Sequence, residues 1–564
     1  MEQERLKKLE RIEEPYPHKF EVSHFIGEIR QMFEKDPTGE EVSVRGIVKR
    51  VSKIEDGFLV RLSDEEGLEI LAITEHSLKQ GGIYNLKGKL VRHEGKLTLE
   101  SAEPSDSPTT TIKDIKSTYD FDPNFYQVSV AGRLVSLRSM GKAIFGHLQD
   151  ATGRIQIYIK KDIVGDDKFQ AFDDLFDVGD IVGVKGKLFR TNTGELTVEV
   201  NDFKMLAKSL RPLPEKWHGL KDVEVRYRQR YLDLISNERA RKITILRSRL
   251  ISEIRRFLDE RGFIEVETPI LQPVASGANA KPFITYHNYL EQNLYLRIAP
   301  ELYLKRLIVG GFNRVYELGK NFRNEGVDTT HNPEFTMLEF YCAYWDYKDL
   351  IKFTEELFSH LLNKLLGTLK ITYQGITLDF TPPYKVVRYF DLLKEKTGKD
   401  KEFFLRDLEG LRKLAIEIGV PKAETLTHAK LIDKVFDLLV EDELTGPVFV
   451  IDFPKILSPL AKTHREDKDL VERFELFVAG KEIANAYTEL NDPIEQRNRF
   501  LEQLKEKEMG DEEAMQMDED FIIALEHGMP PTAGEGIGID RLVMLLADVD
   551  SIREVILFPA LRQR

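Results

Sequence analysis

Residues Val42–Gly46 read VSVRG, and VSVAG returns at Val128–Gly132, an offset of 86. Without a gap, the same offset aligns Leu62 with Leu148, Asp64 with Asp150, Gly67 with Gly153 and Ile73 with Ile159. Farther on, KGKLVRHEGKLTLE (Lys87–Glu100) matches KGKLFRTNTGELTVE (Lys185–Glu199). A duplicated pattern of this kind constrains the first part of the chain to two copies of one small fold. Both copies show short alternating segments with Gly-bearing turns, the signature of half-buried β-strands. Five such strands predict an OB-type barrel, a frequent oligonucleotide binder. Two small barrels without a ligand fit the same pattern. The second copy has an additional segment of helical spacing, Asp162–Leu175, where the first has a short turn around Gln80, Gly81 and Gly82.

Charge separates the copies. The whole chain carries a formal net charge of −14, which on its face speaks against a nucleic-acid partner. Locally, Val128–Lys161 holds six basic residues against one acid, a balance of +5, while Val42–Glu75 holds five against seven, a balance of −2. Phosphate contacts dominate nucleic-acid affinity, so only the second barrel has the charge to attract a backbone.

The 564 residues are enough for three or four domains. Residues 1–36 read as an N-terminal helical segment, 37–108 as an additional OB-like barrel and 109–208 as the second barrel. PSDSPTTT (Pro104–Thr111) is a polar linker, and the prolines of SLRPLPEKWHGL (Ser209–Leu220) predict an extended connector within a linker over 209–235. The remainder, 236–564, opens with an amphipathic helix near Ile243–Arg261. It contains a mostly helical insertion at about 368–446 that carries no catalytic signal. No run of 18 apolar residues is present, so no membrane span is expected. The opening MEQERLKKLERIEE lacks the apolar core of a secretory signal, and Cys342 is the only cysteine. A cytoplasmic location is therefore expected.

The stretch FRNEGVDTTHNPEFTMLEFY, Phe322–Tyr341, is the densest in chemistry. In a strand, Phe335, Met337, Glu339 and Tyr341 share one face. An arginine suits a phosphate, an aromatic face a nucleobase and a carboxylate a cation. That inventory fits ATP beside a positively charged small molecule.

Three stretches resemble the signature motifs of class II aminoacyl-tRNA synthetases: FLDERGFIEVETPIL (Phe257–Leu271), the stretch just described, and GEGIGIDRLVMLLAD (Gly534–Asp548). The last is not the dinucleotide pattern G-x-G-x-x-G, because Ile539 occupies its third glycine position. It reads as a glycine-rich turn. The HIGH and KMSKS signatures of class I are absent. From Val128 onward, and in the N-terminal HKFEVSHFIGEI (His18–Ile29), the chain is similar to bacterial-type lysyl-tRNA synthetases. The runs that carry this resemblance are SLRPLPEKWHGLKDVEVRYRQRYLDL (Ser209–Leu234), APELYLKRL (Ala299–Leu307), EIANAYTELNDP (Glu482–Pro493) and PPTAGEGIGIDR (Pro530–Arg541).

The resemblance implies an α+β class: a class II synthetase antiparallel sheet with flanking helices, preceded by two OB-type barrels, and a homodimer built through the first motif. It implies that lysine, ATP and tRNA(Lys) are bound, with Mg2+ as cofactor. Arg323 would contact the α-phosphate and the substrate carboxylate, and Arg541 the γ-phosphate. Phe335 would stack on adenine while Glu325, His331 and Asn332 hold the nucleotide. Glu475 and Glu482 would ligate magnesium, facing one another across a hairpin with Gly480 in its turn. Asn485, Tyr487 and Glu489 alternate, so a strand presents them together. Glu489 is expected at the side-chain ammonium, Glu301 near the same end, Glu339 and Tyr341 along the pocket, and Gly277 where the backbone approaches the α-amino group. On the second barrel, Arg138, Phe145 and Gln156 would read the anticodon. The same columns of the first copy hold Ser52, Leu59 and Ile70, so the first barrel is not expected to read it. Glu535 stands where an apolar residue is expected, and a carboxylate beside ATP phosphates is unfavourable, so it is expected to point outward.

Three other readings fit parts of this pattern. An aspartyl or asparaginyl enzyme shares the subclass, and an aspartyl one needs basic residues at its pocket. A ligase that lysylates protein lacks the anticodon barrel. A regulatory protein on a dead synthetase scaffold has no reason to keep Arg323, Arg541, Glu475 and Glu482.

Overall fold

The computed structural model describes residues 2–562 except 13, 15, 17, 18, 20, 34–40, 55–56, 65–68, 94–95, 105–125, 214–221, 509–512 and 514. The linker Pro104–Thr111 and most of Ser209–Leu220 therefore lie outside the described residues. The chain divides into two compact units, Met1–Pro214 and Glu215–Arg564.

The first unit contains the duplication as two closed five-stranded barrels. One is built from Glu41–Ile54, Gly57–Ser63, Glu69–Thr74, Ile83–His93 and Lys96–Pro104. The other uses Gln127–Met140, Ala143–Gln149, Arg154–Lys160, Ile181–Arg190 and Leu196–Ala207. In each, the order is first, second, third, fifth, fourth, and the fourth strand closes antiparallel onto the first. The long first strands bend at matching bulges, Val48/Arg50 and Leu134/Ser136, which lets one strand serve both sides of a small barrel. The gap-free offset fails at the third strand. His147 pairs with Gln156, whereas the equivalent Arg61 pairs with Leu71. The turn before that strand is one residue longer in the first barrel, so Leu71, and not the buried Ile70, is the counterpart of Gln156.

The helix Ile26–Phe33 belongs to the second barrel. Ile26 and Ile29 enter its core, alongside Val130, Leu148 and Ile157. Asp150 accepts from the Ile26 N–H at 2.9 Å, and Thr152 Oγ1 from the Gly27 N–H at 2.7 Å. A Cβ on Gly27 would fall 2.7 Å from Thr152, so only glycine permits this seat. The first barrel has its own core around Val44, Val60, Leu62 and Leu99, and it interrupts the chain between this helix and the barrel on which the helix rests. The helical segment expected at Asp162–Leu175 is two helices, Lys161–Val164 and Asp166–Leu175.

The second unit is built on an eight-stranded sheet. Its order is Ile264–Glu265, Arg314–Phe322, Glu334–Ala343, Thr532–Gly538, Lys481–Thr488, Arg473–Val478, Val448–Ile451 and Lys385–Arg388. The six central strands are antiparallel, and the two outermost join in parallel. One face carries the main core, where Leu338, Phe340 and Cys342 meet Leu250 and Phe257 of helix Glu238–Asp259, Leu357 of helix Tyr347–Leu366, and Val543 of helix Ile539–Ala547. The opposite face is left free for the pocket.

Three boundaries differ from the sequence reading. The amphipathic helix starts at Glu238, because Asn237 accepts from the N–H groups of Arg239 and Ala240 and caps it there. The second half of the expected linker is helical, Val223–Arg228 and Arg230–Ser236, and docks through the buried Arg230, which donates to Asp233 and to the carbonyls of Arg553, Ile556 and Leu557. The insertion is not helical throughout. It supplies the hairpin Lys370–Tyr373/Ile376–Asp379 and the sheet's edge strand Lys385–Arg388 before its helices begin. Among the described residues, no helix is long and apolar enough to cross a membrane.

Candidate active site

The free face of the sheet forms a cavity of about 380 Å³. Glu334–Ala343 is a strand, and Phe335, Met337, Glu339 and Tyr341 all line the cavity while Leu338, Phe340 and Cys342 pack behind it. The period-two alternation makes this stretch one wall. The next strand, Thr532–Gly538, presents Gly534, Gly536 and Gly538 opposite Tyr341, Glu339 and Met337. This glycine run is a strand, where a turn was expected. Its glycines make room for neighbouring side chains: a Cβ on Gly534 would fall 2.3 Å from the Tyr341 ring and 2.4 Å from Glu489 Oε1, and one on Gly536 would fall 2.6 Å from Met337.

At one end lie the residues suited to a nucleotide. Arg323, Glu325, His331, Asn332, Phe335 and Arg541 all line the cavity. Arg323 is half-buried, its guanidinium 5.1 Å from the Phe335 ring centroid, and its buried Nε has no hydrogen-bond partner among the described residues. Desolvation pulls its pKa down, while Glu325 and Glu482 push it back up. A cation with an unused donor suits an anion. His331 is held by Asp328 at 2.9 Å. Asn332 bridges its loop to the C-terminal segment, donating to the Glu334 carbonyl and accepting from the Ala560 N–H. Arg541, in the first turn of helix Ile539–Ala547, donates to the Glu482 carbonyl at 2.8 Å. Asp540 beside it receives Arg247 and the Thr336 N–H, pinning the glycine strand's end to the Phe335 strand.

The hairpin Arg473–Val478/Lys481–Thr488 turns at Ala479 and Gly480, both with positive φ. Glu475 pairs across it with Asn485, and Glu482 with Phe477. Glu482 and Asn485 are three positions apart, a spacing that would put them on opposite faces of a regular strand. A bulge between them, marked by the consecutive buried residues Ile483 and Ala484, restores the phase. Glu475, Glu482, Asn485 and Tyr487 thus all reach the cavity. Glu475 is pushed up to about 8, mainly by burial, with Glu482 and Asp433 adding repulsion and the contacting Arg473 opposing it. Asp433 and Glu441 of the insertion are raised too, to about 6 and about 8. The insertion therefore brings carboxylates beside the hairpin, a contribution its sequence did not reveal. A surplus of buried carboxylates fits a divalent cation, yet no set of three His, Cys, Asp or Glu side chains among the described residues could hold a metal. Such a site needs phosphate oxygens to complete it.

The other end is acidic. Gly277, with φ +96°, lines the cavity near Ala299 and Glu301. Glu301 accepts from Tyr487 Oη at 2.6 Å, and Tyr341 donates to Glu339 at 3.2 Å. Burial, with Glu301 nearby, pushes Glu339 up to about 8. Glu489 is 1 % exposed and stands behind the wall, its Oε1 over Gly534. It touches the fully buried Lys305, which also donates to Glu301 at 2.6 Å.

Sequence reasoning passed over Lys305 and Arg473. In APELYLKRL a lysine four residues after a glutamate resembles an exposed helix pair; the apolar residues Leu302, Leu304 and Ile308 around the helix were the sign that it is buried. Arg473 donates to Asn485 and Ser458, fixing the cavity's side wall. Glu535 is turned away from the cavity as expected, but into the core: it lies against Thr354 at 2.8 Å and is pushed up to about 8 by burial.

In the first unit, Arg138 and Phe145 are cross-strand neighbours on the outside of the second barrel, and Phe145 stacks on Tyr158 with centroids 4.8 Å apart. Gln156 donates to Glu195 and accepts from Thr197, while His147 joins Ser136 to Glu195. The expected trio sits within a wider polar and aromatic surface. At the equivalent places the first barrel has Ser52, Leu59, Leu71 and Ile73.

Residues 222–562 match the family of class II tRNA synthetases (D, K and N), and residues 128–206 match an OB-fold nucleic acid binding domain. A lysine–tRNA ligase of Aquifex aeolicus (strain VF5) is 69% identical over the whole of this chain and 95% of its own length. Those of Carboxydothermus hydrogenoformans and Halalkalibacterium halodurans are 56% and 53% identical, over 78% and 80% of this chain and 89% and 90% of theirs. The family match over most of the chain, on a largely antiparallel sheet, makes this a class II tRNA synthetase. Within that class, the chain belongs to the lysine–tRNA ligases.

Proposed function

We propose that this cavity joins L-lysine to tRNA(Lys) in two steps. In the first, the lysine carboxylate attacks the α-phosphorus of ATP, the bond to the departing phosphate breaks, and lysyl-adenylate and pyrophosphate result. In the second, a hydroxyl of the tRNA's terminal ribose attacks the lysyl carbonyl and AMP leaves. The observation that carries this reading is the cavity's polarity: Arg323, with an unused Nε and its guanidinium over Phe335, lies at one end and the Glu301–Glu339–Glu489 acids at the other. A substrate with a carboxylate at one end and an ammonium at the other fits that order.

Catalysis then rests on positioning and charge stabilisation. Arg323 meets the carboxylate and α-phosphate, and Arg541 the far phosphates. Phe335 stacks on adenine, with Glu325, His331 and Asn332 around the nucleotide. Glu475 and Glu482 would hold Mg2+, which would neutralise phosphate charge. Glu301, Glu339, Tyr341, Asn485, Tyr487 and Glu489 select lysine, and Gly277 lets the backbone approach the α-amino group. Arg138, Phe145 and Gln156 read the anticodon, for which the basic charge and stacked aromatics of the second barrel are suited. A homodimer through the first motif is supported by exposed apolar residues there and on the adjoining small sheet: Ile264, Ile270, Leu271, Ile284 and Tyr286. The single cysteine suits a cytoplasmic location.

Amino-acid-dependent ATP–pyrophosphate exchange against the twenty amino acids tests the reading. Lysine alone is expected to support exchange; aspartate or asparagine in its place would overturn it.

A further inference from the structure

Lys305 is a buried cation at the amino-acid end, and none of the roles above uses it. Its side chain is fully buried in helix Glu301–Val309. It donates to Glu301 at 2.6 Å and touches Glu489. The ring centroids of Tyr487 and Phe521 lie 5.5 and 5.9 Å from its Nζ. Apart from Lys305, neither oxygen of Glu489 has a partner among the described residues. The groups that face this cluster are Glu301 from its own helix, Glu339 and Tyr341 from the adjoining strand, and Tyr487 and Glu489 from the strand beyond. Glu317 and Arg297 lie behind Glu339 as a closed pair. The pocket end therefore holds three carboxyl groups, two of them bonded to the Lys305 cation. Lysine brings two ammonium groups there, while its carboxylate goes to Arg323.

We infer that Lys305 is a positioning and specificity residue: a fixed internal cation that holds the carboxyl groups of Glu301 and Glu489 side by side, where they can receive an ammonium group of lysine. The inference rests on the lysine reading of the pocket. Two carboxylates sharing a dry site without a cation hold a proton between them. Burial, with Glu301 and Glu339, holds the Glu489 carboxyl well above the usual carboxylate range, and Lys305 opposes them. Without Lys305 that proton is held more tightly, and an incoming ammonium group displaces it at greater cost.

The test is Lys305→Met, with Lys305→Gln as a second neutral variant and Lys305→Arg as the charge-keeping one, in lysine-dependent ATP–pyrophosphate exchange from pH 6.5 to 9. Wild-type exchange with lysine settles the underlying reading separately. In the neutral variants the KM for lysine should rise about tenfold or more at pH 7, since each pKa unit is tenfold, and should recover toward pH 9, with the KM for ATP little changed. Lys305→Arg should keep the wild-type pH profile. A pH-independent loss shared by all three variants, or an unchanged KM for lysine, overturns the inference. So does a result in which both neutral variants fail to fold while Lys305→Arg folds, because the charge then serves stability alone.

Discussion

Glu489, proposed to select lysine, does not stand on the cavity wall. Its carboxylate is buried behind Gly534 and reaches the pocket because that glycine has no side chain. Glu489→Gln leaves the substrate ammonium without its charge partner, a loss of about 3–5 kcal/mol. Lysine-dependent exchange should fall at least about a hundredfold, and an unchanged rate would remove Glu489 from the site. Glu339, raised to about 8 in the empty pocket, carries a proton at neutral pH. A bound ammonium favours its ionised form, so lysine binding should expel that proton. Affinity for lysine should climb as pH rises toward 8 and then level off. Calorimetry in buffers of different ionisation enthalpy reads the proton directly, and buffer-independent heats would refute the coupling. Glu535 works in the opposite sense. Its folded pKa of about 8 lies above its ordinary value, so the native state holds the proton more tightly than the unfolded chain does. Stability should therefore decline between about pH 4.5 and 8. Glu535→Gln should remove most of that decline, raising stability at pH 8 by on the order of 2–4 kcal/mol, as urea unfolding at two pH values would show.

At the scale of elements, the wall Glu334–Ala343 was legible because its alternation needs no partner to be read. The hairpin was only half legible. Gly480 and the flanking carboxylates mark the turn, but Glu482 and Asn485 have opposite parity, and only the pairing with Arg473–Val478 reveals the bulge at Ile483 that brings them together. The glycine run was read as a turn because glycine breaks strands in isolation; its reason is cross-strand crowding by Tyr341 and Met337, which depends on a strand nearly two hundred residues away. Lys305 was missed for a similar cause, since a charge pair on a helix looks solvated until tertiary packing covers it. The crowding has its own test. Gly534→Ala drives a methyl into Tyr341 and Glu489, and overpacking of this kind costs about 1–3 kcal/mol. The KM for lysine should rise about tenfold or more, with the KM for ATP nearly unchanged and a lower melting temperature. Equal losses for both substrates would mean that the strand as a whole had shifted.

For the whole molecule, assembly and the extra barrel are the open matters. The apolar residues at the first motif and its neighbouring small sheet are suited to a second copy of the chain. Ile270→Asp should convert a dimer to monomers in sedimentation and lower exchange activity with it; a monomeric wild-type enzyme would refute the arrangement. The first barrel lacks the expected anticodon trio, and Ser52, Leu59 and Leu71 stand in its place. Removal of Glu40–Pro108 should leave a folded enzyme that discriminates anticodon variants of tRNA(Lys) as the full chain does. A change in that discrimination would assign the barrel to the anticodon. The seat of helix Ile26–Phe33 on the second barrel makes such surgery plausible on physical grounds. Ser23 and Ser129 hydrogen-bond to each other on that barrel, so the chain is anchored on the same body before the excursion begins and after it ends. Rejoining the chain there has only the width of one hydrogen-bonded pair to cross. Ser23 and Ser129 thus act as a gateway on the second barrel's body, through which the chain leaves and returns and at which one module could be exchanged for another.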